Sequence, residues 1–183
     1  PVLEFHLFLP QMRLTMDALV ERAVAAELAG FGGMVGMDHL APPGAEDQPM
    51  FEAMTTSTWL AARTERLRVG SLVLCDPLRH PAVLAKMAAT LDHVSGGRLI
   101  LGIGCGWHDP EYDAFGYPTD HKVGRFEEAL EEFEHTLEHK VLGQKTREWM
   151  ARCLLELERP REIVLLLQTR LDAETYPRKS MVE

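Results

Sequence analysis

The sequence predicts an α/β protein built from repeated parallel βα units, and three observations support this fold class. Four short apolar runs recur along the chain, and their starts lie 30, 33 and 31 residues apart. Each run is followed by a segment with helical spacing of its apolar residues, and parallel strands need such crossovers. The runs are nearly continuous in apolar residues, which is typical of strands covered on both faces. They are Glu4–Leu9, Met34–Asp38, Leu67–Leu74 and Arg98–Ile103.

The helix-like segments carry recognisable end signals. The first, Met16–Ala29, has Thr15 in the N-cap position and Gly30 just past its end. The third, Pro81–Val94, begins with a proline, which the first helical turn tolerates. The second and fourth are Met50–Thr64 and Gly124–Lys140.

Two architectures fit this pattern, an eight-fold βα barrel and an open, doubly wound sheet. Both place their chemistry at the carboxyl ends of the strands. The stretch GRLILGIGCGWHDPEYDAFGYP, residues 97–118, ends a strand in alternating glycines and continues with polar and aromatic side chains. Glycine there allows either close approach of a ligand or packing of the strand against a neighbouring helix, and the residues alone leave both open. It is not a dinucleotide fingerprint, because Trp107 stands where the third glycine would be.

Composition narrows the function class. The net charge of −9 argues against nucleic acid and against an anionic membrane surface as partners. The three cysteines lie far apart, as in a protein of a reducing cytoplasm without a disulfide framework or a zinc knuckle. The chain also has no membrane-spanning stretch and no secretion signal. We therefore expect a cytoplasmic protein that acts on a small molecule.

Three separate motifs occur in order: MDHLAPP, HPAVLAKMAATLDHVSGG and the glycine-rich stretch quoted above. With them the chain resembles the luciferase-like flavin and deazaflavin oxidoreductases, from about Phe5 to about Leu130, and most of all the branch that uses coenzyme F420. The resemblance implies a TIM (β/α)8 barrel, of which residues 1–142 would form the first four units. It implies hydride transfer between coenzyme F420 and a small organic substrate. An FMN-dependent monooxygenase of the same fold is the alternative.

The resemblance also implies roles for particular residues. His39 would be the catalytic proton relay beside the cofactor ring, and Trp107 and His108 would line the substrate pocket. Trp107 replaces the catalytic glutamate of the sugar-phosphate-oxidising branch, so sugar-phosphate chemistry is not expected. The third strand would carry a bulge, where the family often has a non-proline cis peptide bond. No metal is expected. The implied cofactor-binding residues are Asp38, Ser71, Leu72, Gly104, Cys105 and Gly106.

The family pattern stops after Lys140, and residues 143–183 form a tail that we predict to be mainly helical. The sequence predicts a helix over Arg147–Leu157. It predicts either a helix or a fifth strand over Arg161–Leu171. A full barrel needs about 250 residues. A truncated, non-catalytic half-barrel that acts as an assembly module is therefore a further alternative. Such a protein would form a homo-oligomer through exposed helices or a sheet edge.

Two other polar groups have a competing functional interpretation. The sequence HTLEH, residues 135–139, has the spacing of some zinc proteases, but its acidic surroundings favour a solvated helix face. Asp109, Glu111 and Asp113 could be metal ligands, but the favoured interpretation is that they stabilise the start of a short helix through its dipole.

The basic pair Arg79 and His80 stands just before Pro81. These side chains could bind a carboxylate or phosphate of the cofactor. They could equally be an ordinary helix entry, and the sequence leaves both possibilities open.

Overall fold

The computed structural model describes residues 3–138, with side chains through Glu131. Strands and helices alternate in chain order, as the sequence predicts. The elements are β1 His6–Phe8, α1 Met16–Leu28, β2 Gly33–Gly36, α2 Ala53–Arg63, β3 Arg68–Cys75, α3 Pro81–Ser95, β4 Leu99–Gly104, α4 Asp109–Phe115 and α5 Lys122–Glu138.

The four strands form one parallel sheet in the order β1-β2-β3-β4. The register places Val35 beside Gly70, and Gly70 beside Ile100. Each described strand lies next to its neighbour in sequence, without the reversal that marks a doubly wound sheet. The predicted parallel βα units are therefore confirmed, and the strand order is that of a barrel wall.

Local capping explains where the helices begin. The Thr15 hydroxyl accepts a hydrogen bond from the Ala18 amide at 3.1 Å, as the predicted N-cap requires. The predicted start of the second helix at Met50 is wrong by three residues. The Glu52 carboxylate accepts hydrogen bonds from the amides of Met54 and Thr55, so α2 begins at Ala53.

The strand ends differ from the prediction in one place that concerns the site. We predicted that the second strand reaches Asp38, but β2 ends at Gly36. Both hydrogen bonds of the Met37 backbone go to the Gln11 side chain, whose Oε1 accepts from the amide at 3.0 Å and whose Nε2 donates to the carbonyl. Gln11 therefore takes the place of a strand neighbour, and Asp38 lies in the loop that follows.

The core lies between the sheet and the helices on one face. Met34, Val69 and Leu99 form one row across the strands, and each is at most 3% exposed. The alternate residues point to the opposite face. That face carries exposed apolar side chains, among them Phe8 and Leu72. The sheet is thus packed on one side and presents an apolar surface on the other.

Several predictions lie outside the described residues. They are the extension of the fourth predicted helix to Lys140, the boundary between residues 142 and 143, and the two elements of the tail. The side chains of residues 135–139 are also outside. Among the described helices, none combines the length and the apolar character that a membrane span needs.

Candidate functional site

The carboxyl ends of β2, β3 and β4 lie side by side, because the three strands are parallel neighbours. The segments that follow them therefore meet at one edge of the sheet, which we call the mouth. Asp38 and His39 follow β2, and Gly104 is the last residue of β4. Trp107 and His108 precede α4. The structure thus gathers most of the predicted site residues, although they are distant in sequence.

The predicted bulge in the third strand is present. The register between β3 and β4 shifts between Ser71 and Leu74, and the peptide bond that joins Leu72 to Val73 is cis. Leu72 is 61% exposed, whereas Ser71 is 2% exposed and lies on the face that packs against the helices. The bulge brings Leu72 and Val73 to the open face of the sheet. It does not bring Ser71 there.

The glycines of β4 make room for protein atoms. A Cβ at Gly102 would lie 2.9 Å from the Ser71 carbonyl oxygen and 3.1 Å from Val73 Cγ1, and one at Gly104 would lie 2.7 Å from Val73 Cγ2. The side chain that these two glycines accommodate is therefore that of Val73, in the neighbouring strand.

Gly106 has a separate reason to be glycine. Its φ angle is +70°, and a Cβ there would lie 1.9 Å from the Tyr112 hydroxyl. The fold itself requires glycine at this position. Its identity consequently carries no information about a ligand, and its predicted contact with a cofactor stays a prediction.

Asp38 is buried and is engaged by protein donors. Its Oδ2 accepts hydrogen bonds from the Cys75 amide at 2.8 Å and from Arg79 Nη1 at 2.6 Å, and its Oδ1 accepts from Arg79 Nη2 at 2.8 Å. The same guanidinium donates to Glu52, at the start of α2. Arg79 therefore ties two loops and a helix terminus together. The sequence analysis considered two roles for Arg79, binding of a cofactor anion and an ordinary helix entry. Neither role included its pairing with Asp38.

The ion pairs set the ionisation of this cluster. Burial opposes the charge of Arg79, but the hydrogen bonds and negative charge of Asp38 and Glu52 raise the pKa of Arg79 above its ordinary value. Burial likewise opposes the charge of Glu52. Hydrogen bonds from the Thr55 and Met54 amides and from Arg79 nevertheless hold the pKa of Glu52 below its ordinary value. Arg79 and Glu52 are thus charged and paired with each other, and the Arg79 guanidinium also pairs with the buried Asp38.

His39 has a partner that the sequence analysis did not identify. Its Nδ1 lies 2.9 Å from Oε2 of Glu111, which belongs to α4. The other oxygen of Glu111, Oε1, accepts hydrogen bonds from the amides of Leu40 and Ala41, the latter at 3.1 Å. The side chains of His39 and Glu111 are 13% and 2% exposed. Glu111 therefore holds both the histidine and the loop behind it.

Three rings cluster at the mouth. The Trp107 ring meets the His108 ring at a centroid distance of 5.0 Å, and the His39 ring lies 6.1 Å from Trp107 and 6.2 Å from His108. All three contacts are edge-on. Trp107 is 69% exposed, so its ring is available to a ligand. His39, Trp107 and His108 do come together, as the resemblance implies.

Cys105 lies behind this cluster and contacts Tyr112 through its backbone. The Tyr112 hydroxyl donates to the Cys105 carbonyl at 3.2 Å and lies 3.0 Å from Cys75 Sγ. Burial raises the pKa of the Cys75 thiol to about 11 and also raises the pKa of Tyr112. Both groups are therefore protonated near neutral pH and act as packing and hydrogen-bonding groups.

Glu111, Arg79 and Gln11 were missed as site-supporting residues. The acids after β4 did predict a short helix, and α4 is present at Asp109–Phe115. Stabilisation of the helix dipole needs only an exposed acid, however. Glu111 is 4% exposed, so the predicted dipole role does not account for its burial. Its position in the sequence could have indicated burial. Glu111 is three residues after His108 and directly before Tyr112, an aromatic residue that the structure shows to be buried.

Comparisons with known proteins agree with this geometry. The profile of the luciferase-like monooxygenase family matches residues 3–160. The chain is 36% identical over 115 residues to the pyrimidine monooxygenase RutA of Methylorubrum extorquens, in an alignment covering 61% of this chain and 28% of that protein.

Solved structures show the same fold. The coenzyme F420-dependent tetrahydromethanopterin reductase of Methanopyrus kandleri superposes with a TM-score of 0.54 at 27% identity, over 65% of this chain and 31% of that one. The oxygenating constituent of 3,6-diketocamphane monooxygenase of Pseudomonas putida, solved with FMN, gives a TM-score of 0.64 at 23% identity, over 73% and 39%.

The chain thus spans well under half the length of these proteins. The predicted fold, parallel βα units of a TIM (β/α)8 barrel, is confirmed by the strand order and by these likenesses. With the family profile matching most of its length, the chain belongs to the luciferase-like monooxygenase family.

Proposed function

We propose that this chain belongs to an oxidoreductase that transfers hydride between coenzyme F420 and a small organic substrate. The observation that carries the proposal is the mouth itself. At the mouth, a part-buried histidine and an exposed tryptophan from two different βα units come together, and the strand between those units carries an exposed apolar bulge. The carboxyl ends of the strands hold the catalytic site in this fold. The named activity of the Methanopyrus relative supports the choice of F420.

The residues at the mouth and on the open face of the sheet fit a flat, uncharged ring. Leu72 and Val73 are 61% and 39% exposed, which is unusual for branched apolar side chains in a central strand. The face of a tricyclic ring would cover them, and Trp107 would wall the substrate side. The carboxylate of Asp38 holds the loop after β2 in place, because it accepts hydrogen bonds from Arg79 and from the Cys75 amide.

The bound cofactor would donate or accept the hydride, and the chain would supply orientation, exclusion of water and proton handling. Histidine is the residue type that most often acts as a general acid or base, and His39 is one of the two histidines at the mouth. Its ring is held by Glu111 and flanked by Trp107 and His108. In this proposal His39 relays a proton to or from the substrate while the apolar walls keep water out.

An FMN-dependent monooxygenase is the second candidate. It is favoured by the monooxygenase activity named for the Methylorubrum relative, which is the more similar in sequence. The described residues offer the same ring surface to either cofactor. Both candidates therefore predict the same contacts at Leu72, Val73 and Trp107.

Titration of the purified 183-residue chain with F420 and with FMN separates the two candidates. Each cofactor's visible absorbance would be followed as protein is added, and tryptophan fluorescence would report the approach of the ring. We expect micromolar binding of F420 and much weaker binding of FMN. The reverse order supports the monooxygenase, and no binding of either cofactor would falsify an oxidoreductase role for this chain by itself.

The variant Trp107→Ala tests the location of the ring. We expect it to weaken cofactor binding by about 5-fold or more, through lost aromatic contact. Trp59→Ala is the matched control. Trp59 is 42% exposed on α2, where it stacks under Arg63, so its loss should leave the affinity unchanged. Equal effects of the two substitutions would place the ring elsewhere.

A further inference from the structure

Glu111 and His39 form a part-buried polar pair at the mouth, where the His39 ring contacts the exposed Trp107. The carboxylate uses its two oxygens for different tasks. Oε1 accepts hydrogen bonds from the amides of Leu40 and Ala41, and Oε2 lies 2.9 Å from His39 Nδ1. Because Oε1 faces two N–H donors, it acts as the acceptor in both hydrogen bonds. With Oε2 acting as an acceptor as well, the hydrogen between Oε2 and Nδ1 belongs to the imidazole.

We propose that Glu111 is a positioning residue that fixes the tautomer of His39, with the proton on Nδ1 and a lone pair on Nε2. In a neutral imidazole the partner of one ring nitrogen decides the state of the other. Within residues 3–131, Nε2 of His39 has no hydrogen-bond partner of its own. The histidine is therefore set to accept a proton or a hydrogen bond at Nε2, and not to donate one in its neutral form.

Among the described side chains, Glu111 supplies the carboxylate acceptor in contact with His39. The other contacts of His39 there are edge-on, with the rings of His108 and Trp107. His108 faces the other way, with its Nε2 3.8 Å from the exposed carboxylate of Glu46. Glu111 is thus the residue that determines the hydrogen position on His39.

The isosteric variant Glu111→Gln tests whether Glu111 determines the tautomer of His39. The amides of Leu40 and Ala41 still need an acceptor, so the glutamine carbonyl must take the place of Oε1. Its NH2 group then faces His39 Nδ1 and donates to it. The tautomer of His39 should therefore switch from Nδ1–H to Nε2–H, while the backbone hydrogen bonds persist.

Nitrogen-15 NMR of histidine-labelled, cofactor-free protein reads the tautomer directly. At about pH 9, where imidazoles are neutral, we expect a protonated Nδ1 in the parent chain and a protonated Nε2 in Glu111→Gln. The His39 signals are assigned by their loss in His39→Gln. Glu46→Gln is the matched control, since it removes a carboxylate near His108 and should leave the His39 signals unchanged.

A protonated Nε2 in the parent chain would overturn the inference, and so would a His39 tautomer that is the same in Glu111→Gln. The parent measurement decides the matter even if the variant does not fold. The catalytic consequence rests on the proposed function: once the bound cofactor is known, Glu111→Gln should lower kcat by about 10- to 100-fold with little change in KM. The NMR result does not depend on cofactor binding, so failure of the inference and failure of the proposed function are told apart.

Discussion

At the scale of single residues, Asp76 carries a buried carboxyl group. It begins the short 3-10 helix Asp76–Leu78, which follows β3, and is 3% exposed. Its Oδ1 has no hydrogen-bond partner within residues 3–131. Burial raises the pKa of Asp76 to about 7. The folded protein therefore binds a proton at this carboxyl more tightly than the unfolded chain does.

A raised carboxyl pKa makes folding less favourable as the pH rises. Between the unfolded pKa of 3.8 and the folded value of about 7, the folded state holds a proton that the unfolded state has lost, and above about 7 the penalty is complete. Asp76→Asn removes this titration. We expect the stability of the variant relative to the parent to increase by about 1–3 kcal/mol between about pH 5 and about pH 8.

Urea unfolding at the two pH values measures this difference. Asp113→Asn serves as the control, because that side chain is exposed, and it should change the stability by less than about 0.5 kcal/mol at either pH. A stability difference for Asp76→Asn that does not vary with pH would show that the carboxyl is not protonated in the folded state.

At the scale of structural elements, the turn between β4 and α4 packs closely against the Tyr112 side chain. Gly106 combines a φ angle of +70° with contact to the Tyr112 hydroxyl, and Gly44 has nearly the same angle, +72°, in open space. Alanine at Gly44 should cost about 1 kcal/mol from backbone strain alone. Alanine at Gly106 should cost about 2–4 kcal/mol, since collision with Tyr112 is added.

Chemical unfolding of both variants separates strain from collision. Adding Tyr112→Phe to Gly106→Ala removes the colliding oxygen, so the double variant should lose less stability than the two single effects summed. If Gly106→Ala and Gly44→Ala cost the same, the turn has room for a side chain. Glycine at 106 would then need another reason, such as the cofactor contact implied by the family resemblance.

The order and type of the elements could be predicted because they depend on local pattern. The signals that specify each element lie within a few residues of it. They are the period of the apolar residues, the N-cap Thr15 and the helix-starting Pro81. The start of α2 was missed because a glutamate served as the N-cap, outside the usual set of capping residues.

The supports of the site could not be predicted in the same way. Glu111 and His39 are 72 residues apart, and Arg79 and Asp38 are 41 apart. Nothing near any of these residues specifies the partner, because the pairing follows from the alignment of neighbouring strands. The residues that face a ligand were found through family motifs, whereas those that hold them in place depend on three-dimensional packing.

At the scale of the whole molecule, the described sheet has two unpaired edges and one apolar face. Within the described residues β1 pairs with β2 alone, and β4 pairs with β3 alone. Phe5 is 64% exposed just before β1. Strand edges with apolar neighbours favour association. We therefore expect this chain, prepared alone, to self-associate through this part of the sheet.

Light scattering at micromolar concentration measures the association. Phe5→Lys should shift the protein toward the mass of one chain, since a charged side chain beside an edge strand opposes pairing. Leu28→Lys is the control, because Leu28 is 80% exposed at the end of α1, on the helical side. A chain that is monomeric without any substitution contradicts the expected homo-oligomer.

The strand order also has a consequence for how the protein is made. Each described strand after β1 pairs with the strand before it in sequence, and partners such as Gly33 and Arg68 are separated by a single helix. Loop-closure entropy grows only slowly with loop length, so a crossover of one helix adds little to the cost of each pairing. As the chain leaves the ribosome, each new unit finds the edge of the previous one already exposed to receive it. The sheet can thus grow from β1 to β4 during synthesis, without waiting for a distant segment of the chain.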